Sequence, residues 1–165
     1  MTDPLDHVLR HNAWANKTLL EFCAKLEPSA LELTAGGVYG TLKQTLQHIV
    51  GGEQWYIWLL TGEAVGLPAG ERHARALDEL RSVADLTGAR AIAIAKSDDA
   101  DRPVAIDGNP KAATVGTVLA QLVNHGNEHR AQATTILGAN GRNGPVISGW
   151  RYGIATGIST HDGDD

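Results

Sequence analysis

Four long stretches of the sequence repeat apolar residues at steps of three and four, and this periodicity restricts the fold more than any other feature. Such spacing places apolar side chains on one side of an α-helix, and the stretches cover about residues 3–26, 41–60, 75–96 and 114–137. Each of these helices has one apolar side to bury. The pattern therefore predicts an all-α fold, a four-helix bundle.

Residues at the ends of these stretches support the helix assignments. Pro4 suits a first helical turn, and Thr41 suits an N-cap. Gly138 follows the fourth apolar stripe and is predicted to be its C-cap. Between the third and fourth helices, Asp107 and Gly108 form a turn signal inside a short β-like segment, which predicts a small β-hairpin before helix four.

The chain length of 165 residues favours one domain. We place this domain at residues 1–155. The segment 156–165 is rich in glycine and aspartate, and it is predicted to be a disordered tail.

Composition and charge exclude several kinds of partner. The formal net charge is −5 and no basic cluster is present, so nucleic acid is not an expected partner. The apolar runs are short and interrupted, so a membrane is not expected either. The first residues lack the features of a signal peptide, and Cys23 is the single cysteine, so we expect a cytoplasmic protein. Cys23 lies on an apolar stripe and is interpreted as a packing residue.

The segment NHGNEHRAQ (124–132) carries two histidines on the inner side of helix four. His125 and His129 are four residues apart, so their side chains lie on the same side of the helix, one turn apart. Imidazole nitrogens need polar partners when buried, and this spacing allows both rings to approach one metal ion. The pair alone is weak evidence, since His7 and His11 have the same spacing and are interpreted as solvated or half-buried surface residues.

A third histidine strengthens the prediction of a metal site. His48 lies beside the apolar stripe of helix two, so it can meet His125 and His129 if helices two and four face each other. Three imidazoles leave one tetrahedral position open, as in catalytic zinc sites. The alternative is three core histidines, each hydrogen-bonded to backbone or glutamine. Gln44, Gln121 and Gln132 are spaced to orient these rings, or else they face water.

Glu128 completes the pattern H-x-x-E-H with His125 and His129. This pattern is typical of inverted zinc peptidases, but those enzymes need a downstream acidic ligand. No acidic residue occurs between Glu128 and Asp162, so a peptidase would lack a ligand. Glu128 is therefore a candidate general base, with a solvent-facing glutamate as the alternative.

Arg130 is interpreted as a solvated surface residue, with pairing to a substrate carboxylate as the alternative.

Four segments, in order along nearly the whole chain, resemble the DinB/YfiT-like superfamily. They are HNAWAN (11–16), GTLKQTLQHIVGGEQWYIWLLTGE (40–63), NHGNEHRAQ (124–132) and GWRYGIATG (149–157). The resemblance implies a four-helix bundle with a long crossover between the second and third helices. It also implies frequent homodimers and a divalent metal held by His48, His125 and His129. We expect zinc or nickel, with manganese or iron as the alternatives.

The resemblance implies activity only broadly. Some relatives are transferases or isomerases that use a low-molecular-weight thiol, and others are described as metal-dependent hydrolases. We therefore expect a metalloenzyme that activates water or such a thiol to act on a small-molecule substrate; a non-catalytic metal- or small-molecule-binding module is the alternative. Position 128 is often histidine or another polar residue in the family, so the resemblance gives no support to Glu128. Gly51 and Gly52 either leave room at the metal or allow close helix packing.

Overall fold

The computed structural model describes residues 3–66 and 76–160 and confirms the all-α prediction. Its four long helices are α1 (Pro4–Cys23), α2 (Leu42–Thr61), α3 (Leu77–Ser97) and α4 (Val115–Ala139). A 3-10 helix (Pro28–Glu32) and α5 (Gly149–Ala155) are shorter. Helix α5 was not among the helices predicted from the sequence. Within the described residues, no helix combines the length and apolar character needed to cross a bilayer.

Side chains at the helix ends explain where the helices begin. Pro4 lies in the first turn of α1, as predicted. The hydroxyl of Thr41 accepts the N–H of Gln44, and Oε1 of Gln44 accepts the N–H of Thr41, so α2 begins with a capping box. The predicted C-cap Gly138 is wrong, because α4 continues to Ala139 and Asn140 caps it. The left-handed conformation falls at Gly141 (φ 71°), so Gly138 can remain helical.

Two apolar clusters divide the core along the bundle. The first contains Leu19, Leu20, Cys23, Leu42, Leu46, Ile49, Val50, Leu80, Val83, Ala84, Ala133, Ile136 and Leu137. The second contains Leu9, Tyr56, Ile57, Leu60, Ala91, Ile94, Val104, Val115, Val118, Leu119 and Leu122. The first cluster therefore combines the ends of α1 and α4 with the starts of α2 and α3.

This distribution fixes the helix directions. Both α2 and α3 start at the first cluster and end at the second, so they run parallel to each other. The end of α2 lies at the second cluster and the start of α3 at the first, so the two helix ends that residues 62–76 connect lie at opposite ends of the bundle, as the predicted long crossover requires. Residues 67–75 of that connection lie outside the described part of the chain. Helix α4 runs antiparallel to α2 and packs against it.

The predicted hairpin is present before α4. Strand β1 (Pro103–Ile106) pairs antiparallel with β2 (Asn109–Thr114), and Ile106 lies opposite Asn109. Asp107 (φ 50°) and Gly108 (φ 79°) are both left-handed, as a two-residue type I′ turn requires. The hydroxyl of Thr114 accepts the N–H of Thr117, so the last residue of β2 is also the N-cap of α4.

The predicted division of the chain at residue 155 stays a prediction. Residues 156–160 follow α5, and the N–H of Ile158 donates to the carbonyl of Gly153. The predicted disordered tail extends to residues 161–165, which lie outside the described residues.

Candidate metal centre

Three histidines from two helices meet where α2 packs against α4. His48 lies on α2, and His125 and His129 lie on α4; one ring nitrogen from each lies within 4.8 Å of the others. Nε2 of His125 is 3.1 Å from Nε2 of His48. His129 is buried and the other two are half-buried. The predicted convergence of these rings is confirmed, while their role as metal ligands stays a prediction.

Gly52 makes the close approach of the two helices possible at this point. A Cβ on residue 52 would lie 2.4 Å from Cε1 of His125 and 2.9 Å from its Nδ1, which is closer than real contacts allow. Gly51 is exposed and a Cβ there would have nothing within 4 Å. Of the two glycines considered in the sequence, Gly52 therefore makes room for the His125 ring.

The tautomer of His129 follows from its partner. Nδ1 of His129 lies 2.9 Å from Oε1 of Gln132, and the same oxygen accepts the N–H of Tyr39 at 3.2 Å. A carbonyl oxygen can only accept, so Nδ1 carries the proton and donates. The lone pair of His129 is consequently on Nε2, where it is available to an ion. The predicted contact of Gln132 with a histidine of the group is confirmed, while its role in metal binding stays a prediction.

The other two glutamines have different partners. Gln44 belongs to the capping box of α2. Nε2 of Gln121 donates to the hydroxyl of Tyr56 at 3.4 Å, and the Tyr56 ring meets His125 edge-on at a centroid distance of 5.6 Å. Gln121 therefore acts on an aromatic neighbour of the histidines rather than on a histidine itself.

Tyr39 forms an aromatic wall that the sequence did not predict. Its ring stacks on His48 with a centroid distance of 4.0 Å and an interplanar angle of 16°, and it meets His129 edge-on at 5.6 Å. The side chain is 54% exposed. Tyr39 lies in a glycine-rich loop, where helical periodicity gives no signal. The only sequence feature that pointed to a place at the site is the presence of an aromatic residue in such a loop.

The electrostatics of the cluster suit a divalent cation. Burial, followed by the nearby His129 and His48, lowers the pKa of His125 to about 4. His125 is therefore neutral at pH 7, as a metal ligand must be. Its Nδ1 is buried without a hydrogen-bond partner. Three nitrogen donors, one of them fixed by Gln132, fit a borderline ion such as zinc or nickel.

The remaining sequence candidates lie apart from this group. Glu128 is exposed on α4 and is not a member of the three-histidine group. His7 and His11 are half-buried, as predicted, and Nε2 of His11 donates to the carbonyl of Ile147 at 2.9 Å. Cys23 is buried, and burial raises the pKa of its thiol to about 12, in agreement with a packing role.

The interpretation of Arg130 as a surface residue is wrong. Arg130 is 3% exposed, and its Nη1 donates to Oδ1 of Asn12 and of Asn16, at 2.7 Å each. Both amides also donate to the buried carboxylate of Glu53. The sequence contained a signal for this polar layer, since Asn12 and Asn16 lie in step with the apolar stripe of α1.

The comparison with known proteins agrees with this architecture. No curated protein matches the chain. The sequence model of the DinB family matches residues 1–159, which is nearly the full length. With its helical bundle and three convergent histidines, the chain belongs to the DinB family.

Proposed function

We propose that this protein is a metalloenzyme with a divalent ion, zinc or nickel, held by His48, His125 and His129. The observation that carries the proposal is the convergence of three imidazoles from two helices, with ring nitrogens within 4.8 Å of one another. Two such rings would otherwise meet nitrogen to nitrogen at 3.1 Å, an arrangement in which one must donate to the other. A cation that accepts one lone pair from each of the three rings would take the place of this nitrogen-to-nitrogen contact.

Three protein ligands leave coordination positions open, which is typical of catalytic rather than structural sites. A divalent ion bound there would lower the pKa of a coordinated water or thiol and so supply a nucleophile near neutral pH. Residues of the chain keep the ligands in the protonation state that binds a metal ion. The low pKa of His125 keeps that ring neutral, and Gln132 holds His129 in the required tautomer.

The substrate that suits this site is a small molecule. His48 and His125 are half-buried, and the exposed ring of Tyr39 stands beside them, so the cluster lies near the protein surface. A low-molecular-weight thiol or water is the proposed nucleophile, and the reaction is an S-transfer or a hydrolysis. Glu128 is the candidate base for the hydrolytic reaction; as an exposed residue it would have to reach the site from solvent.

A non-catalytic binding module is the second candidate. The observation in its favour is that the group of converging side chains contains no carboxylate, so a general base is not among them. Such a protein would bind the ion and a small molecule without turnover. Glu128→Gln tests the hydrolytic form of the enzyme: if Glu128 is the base, the variant should lose hydrolysis and leave the bound metal unchanged.

Metal content tests the proposal directly. Wild-type protein purified without chelators is compared by elemental analysis with His129→Ala and with His11→Ala. His11 is a matched control, since it is a half-buried histidine outside the group. We expect about one equivalent of metal in wild type and His11→Ala and a strong loss in His129→Ala. Wild-type protein that takes up no zinc or nickel would overturn the proposal.

Catalysis is tested on the metal-loaded protein. Turnover is screened with low-molecular-weight thiols and electrophilic acceptors, and with hydrolysable esters and amides. Activity that disappears on chelation and returns with metal supports the enzyme. Full metal loading without turnover across both substrate sets favours the binding module.

A further inference from the structure

A fully buried polar layer lies between the two apolar clusters. Oε1 of Glu53 accepts hydrogen bonds from Nδ2 of Asn12 (2.8 Å) and of Asn16 (2.7 Å), and Oε2 accepts from Thr87 (2.6 Å). Arg130 donates to the oxygens of the same two amides. Two asparagines on α1 therefore connect a carboxylate on α2 with a guanidinium on α4, and Thr87 adds α3.

Placing these polar and charged groups in a protein core has a high free energy cost of desolvation. All five side chains, Asn12, Asn16, Glu53, Thr87 and Arg130, are at most 3% exposed. Burial raises the pKa of Glu53 against the opposing hydrogen bonds, and it lowers the pKa of Arg130 to about 10. Apolar residues of similar volume often give equal or greater stability than buried charges. A gain in stability alone therefore does not account for the layer.

The layer and the histidine cluster use neighbouring residues on the same two helices. Glu53 follows Gly52, which contacts the His125 ring, and Arg130 follows His129. Successive residues of an α-helix differ by about 100° in direction. Each helix thus presents metal-site residues on one face and polar-layer residues on the adjacent face, so a rotation of either helix would disturb both.

Gly126 shows how tightly the two faces of α4 are linked. A Cβ at this residue would lie 2.7 Å from Oδ1 of Asn12 and 2.8 Å from Nη1 of Arg130. Gly126 directly follows His125, so the residue beside a histidine of the cluster is packed against the layer. Apolar packing alone is non-directional and tolerates small helix rotations, whereas hydrogen bonds do not.

We propose that Glu53 and Arg130 are positioning residues of the metal centre, fixing the rotation of α2 and α4 so that the three histidines converge. This role rests on the proposed metal-binding function. The two residues act through the helices that carry the histidines.

The test uses full-length Glu53→Gln, Arg130→Met and the double variant, with Leu80→Ala as a control. Leu80 is buried in the first apolar cluster on α3, which carries none of the three histidines, so its truncation lowers stability without touching the layer. Each protein is titrated with Co²⁺ alone, followed by visible absorption, and the melting temperature of the metal-free form is measured. The ring ¹H–¹⁵N NMR signals of the histidines are recorded on the same metal-free samples.

We expect Glu53→Gln and Arg130→Met to weaken Co²⁺ binding by about 10-fold, the size of effect seen when groups that orient ligands are removed. Their histidine ring signals should shift. Leu80→Ala should keep the wild-type affinity and ring signals although its melting temperature falls. The double variant, which leaves no unpaired buried charge, should melt above Arg130→Met and still bind Co²⁺ weakly.

Three results would overturn the positioning role. The first is that Glu53→Gln or Arg130→Met binds Co²⁺ as tightly as Leu80→Ala does. The second is that the double variant regains wild-type affinity, and the third concerns the wild-type protein. Because Glu53→Gln preserves the shape of the side chain, it decides the matter if Arg130→Met does not fold. Wild-type protein that fails to bind Co²⁺ would overturn the proposed function together with this role, whereas the first two results would leave the proposed function intact.

Discussion

The polar layer and the histidine cluster are two groups of polar side chains on the same helices, and they differ in how far the protein satisfies them. In the layer, each carboxylate oxygen of Glu53 accepts a hydrogen bond, and none of the five side chains has a buried polar atom without a partner. In the cluster, Nδ1 of His125 has no partner, and its Nε2 faces the Nε2 of His48. A buried polar atom without a partner is rare in folded proteins and calls for an explanation such as a bound water or ion, so the cluster and not the layer is where we expect a ligand.

Gly52→Ala should give the largest effect, because the added methyl group collides with the His125 ring. We expect Co²⁺ affinity to fall by about 100-fold, the upper end of the effects of misplaced ligands. Gly51→Ala is the matched control: nothing lies within 4 Å, so it should keep the affinity and raise the free energy of unfolding by about 0.5–1 kcal/mol. Equal affinities of the two variants would show that the His125 ring is not held against α2.

Gln132→Ala should weaken Co²⁺ binding by about 10-fold, since it removes the acceptor that fixes the tautomer of His129. Gln121→Ala, which loses only a bond to the Tyr56 hydroxyl, is the control and should change the affinity much less. Isothermal titration with Zn²⁺ measures both. If the two glutamine variants lose affinity equally, the orientation of His129 does not depend on Gln132.

Tyr39→Ala should weaken metal binding by about 2- to 10-fold, because stacked aromatic pairs contribute about 0.5–1.5 kcal/mol. Tyr39→Phe keeps the ring over His48 and should bind the ion as wild type does. Comparing the two variants in one Co²⁺ titration separates the ring from the hydroxyl. A loss of affinity in Tyr39→Phe would instead assign the effect to the phenol.

Thr87→Val should have the smallest effect on metal binding and a clear effect on stability. It removes one donor to the buried Glu53 and leaves the two asparagine bridges between α2 and α4 intact. We expect the free energy of unfolding in urea to fall by about 1–3 kcal/mol and Co²⁺ affinity to stay within about 2-fold. A large loss of affinity would mean that α3 also sets the geometry of the histidines.

Periodicity predicted what depends on local spacing and missed what depends on packing. The four helices and the pair His125–His129 follow from 3.6-residue repeats, so they were predictable. Pairing them with His48 required knowing that α2 faces α4, and the resemblance to a known family supplied that. Arg130 was misassigned because an arginine on a helix is usually solvated, and only the position of Asn12 and Asn16 on α1 reveals its partners. Tyr39 was not predicted because it lies in a loop, where no periodic pattern of apolar residues indicates which side chains face the site.

The sequence-based prediction of the C-terminal end of α4 was also wrong. A glycine near the end of a helix favours termination there but does not by itself determine it. Gly138 stays helical because Gly141, three residues later, adopts the left-handed turn. Glu128 remains a prediction: the pattern H-x-x-E-H predicts a role from spacing, and its exposed position on α4 leaves that role to experiment.

The separation of the histidines along the chain has a consequence for biosynthesis. His48 and His125 are 77 residues apart, and α3 and the hairpin are made between them. A chain emerging from the ribosome therefore carries one of the three rings until most of its length has been translated. Bringing together residues this far apart in the chain costs loop-closure entropy, so contacts between them form slowly. If the proposed ion binds, the complete set of three rings is available to it only after residue 129 has been translated.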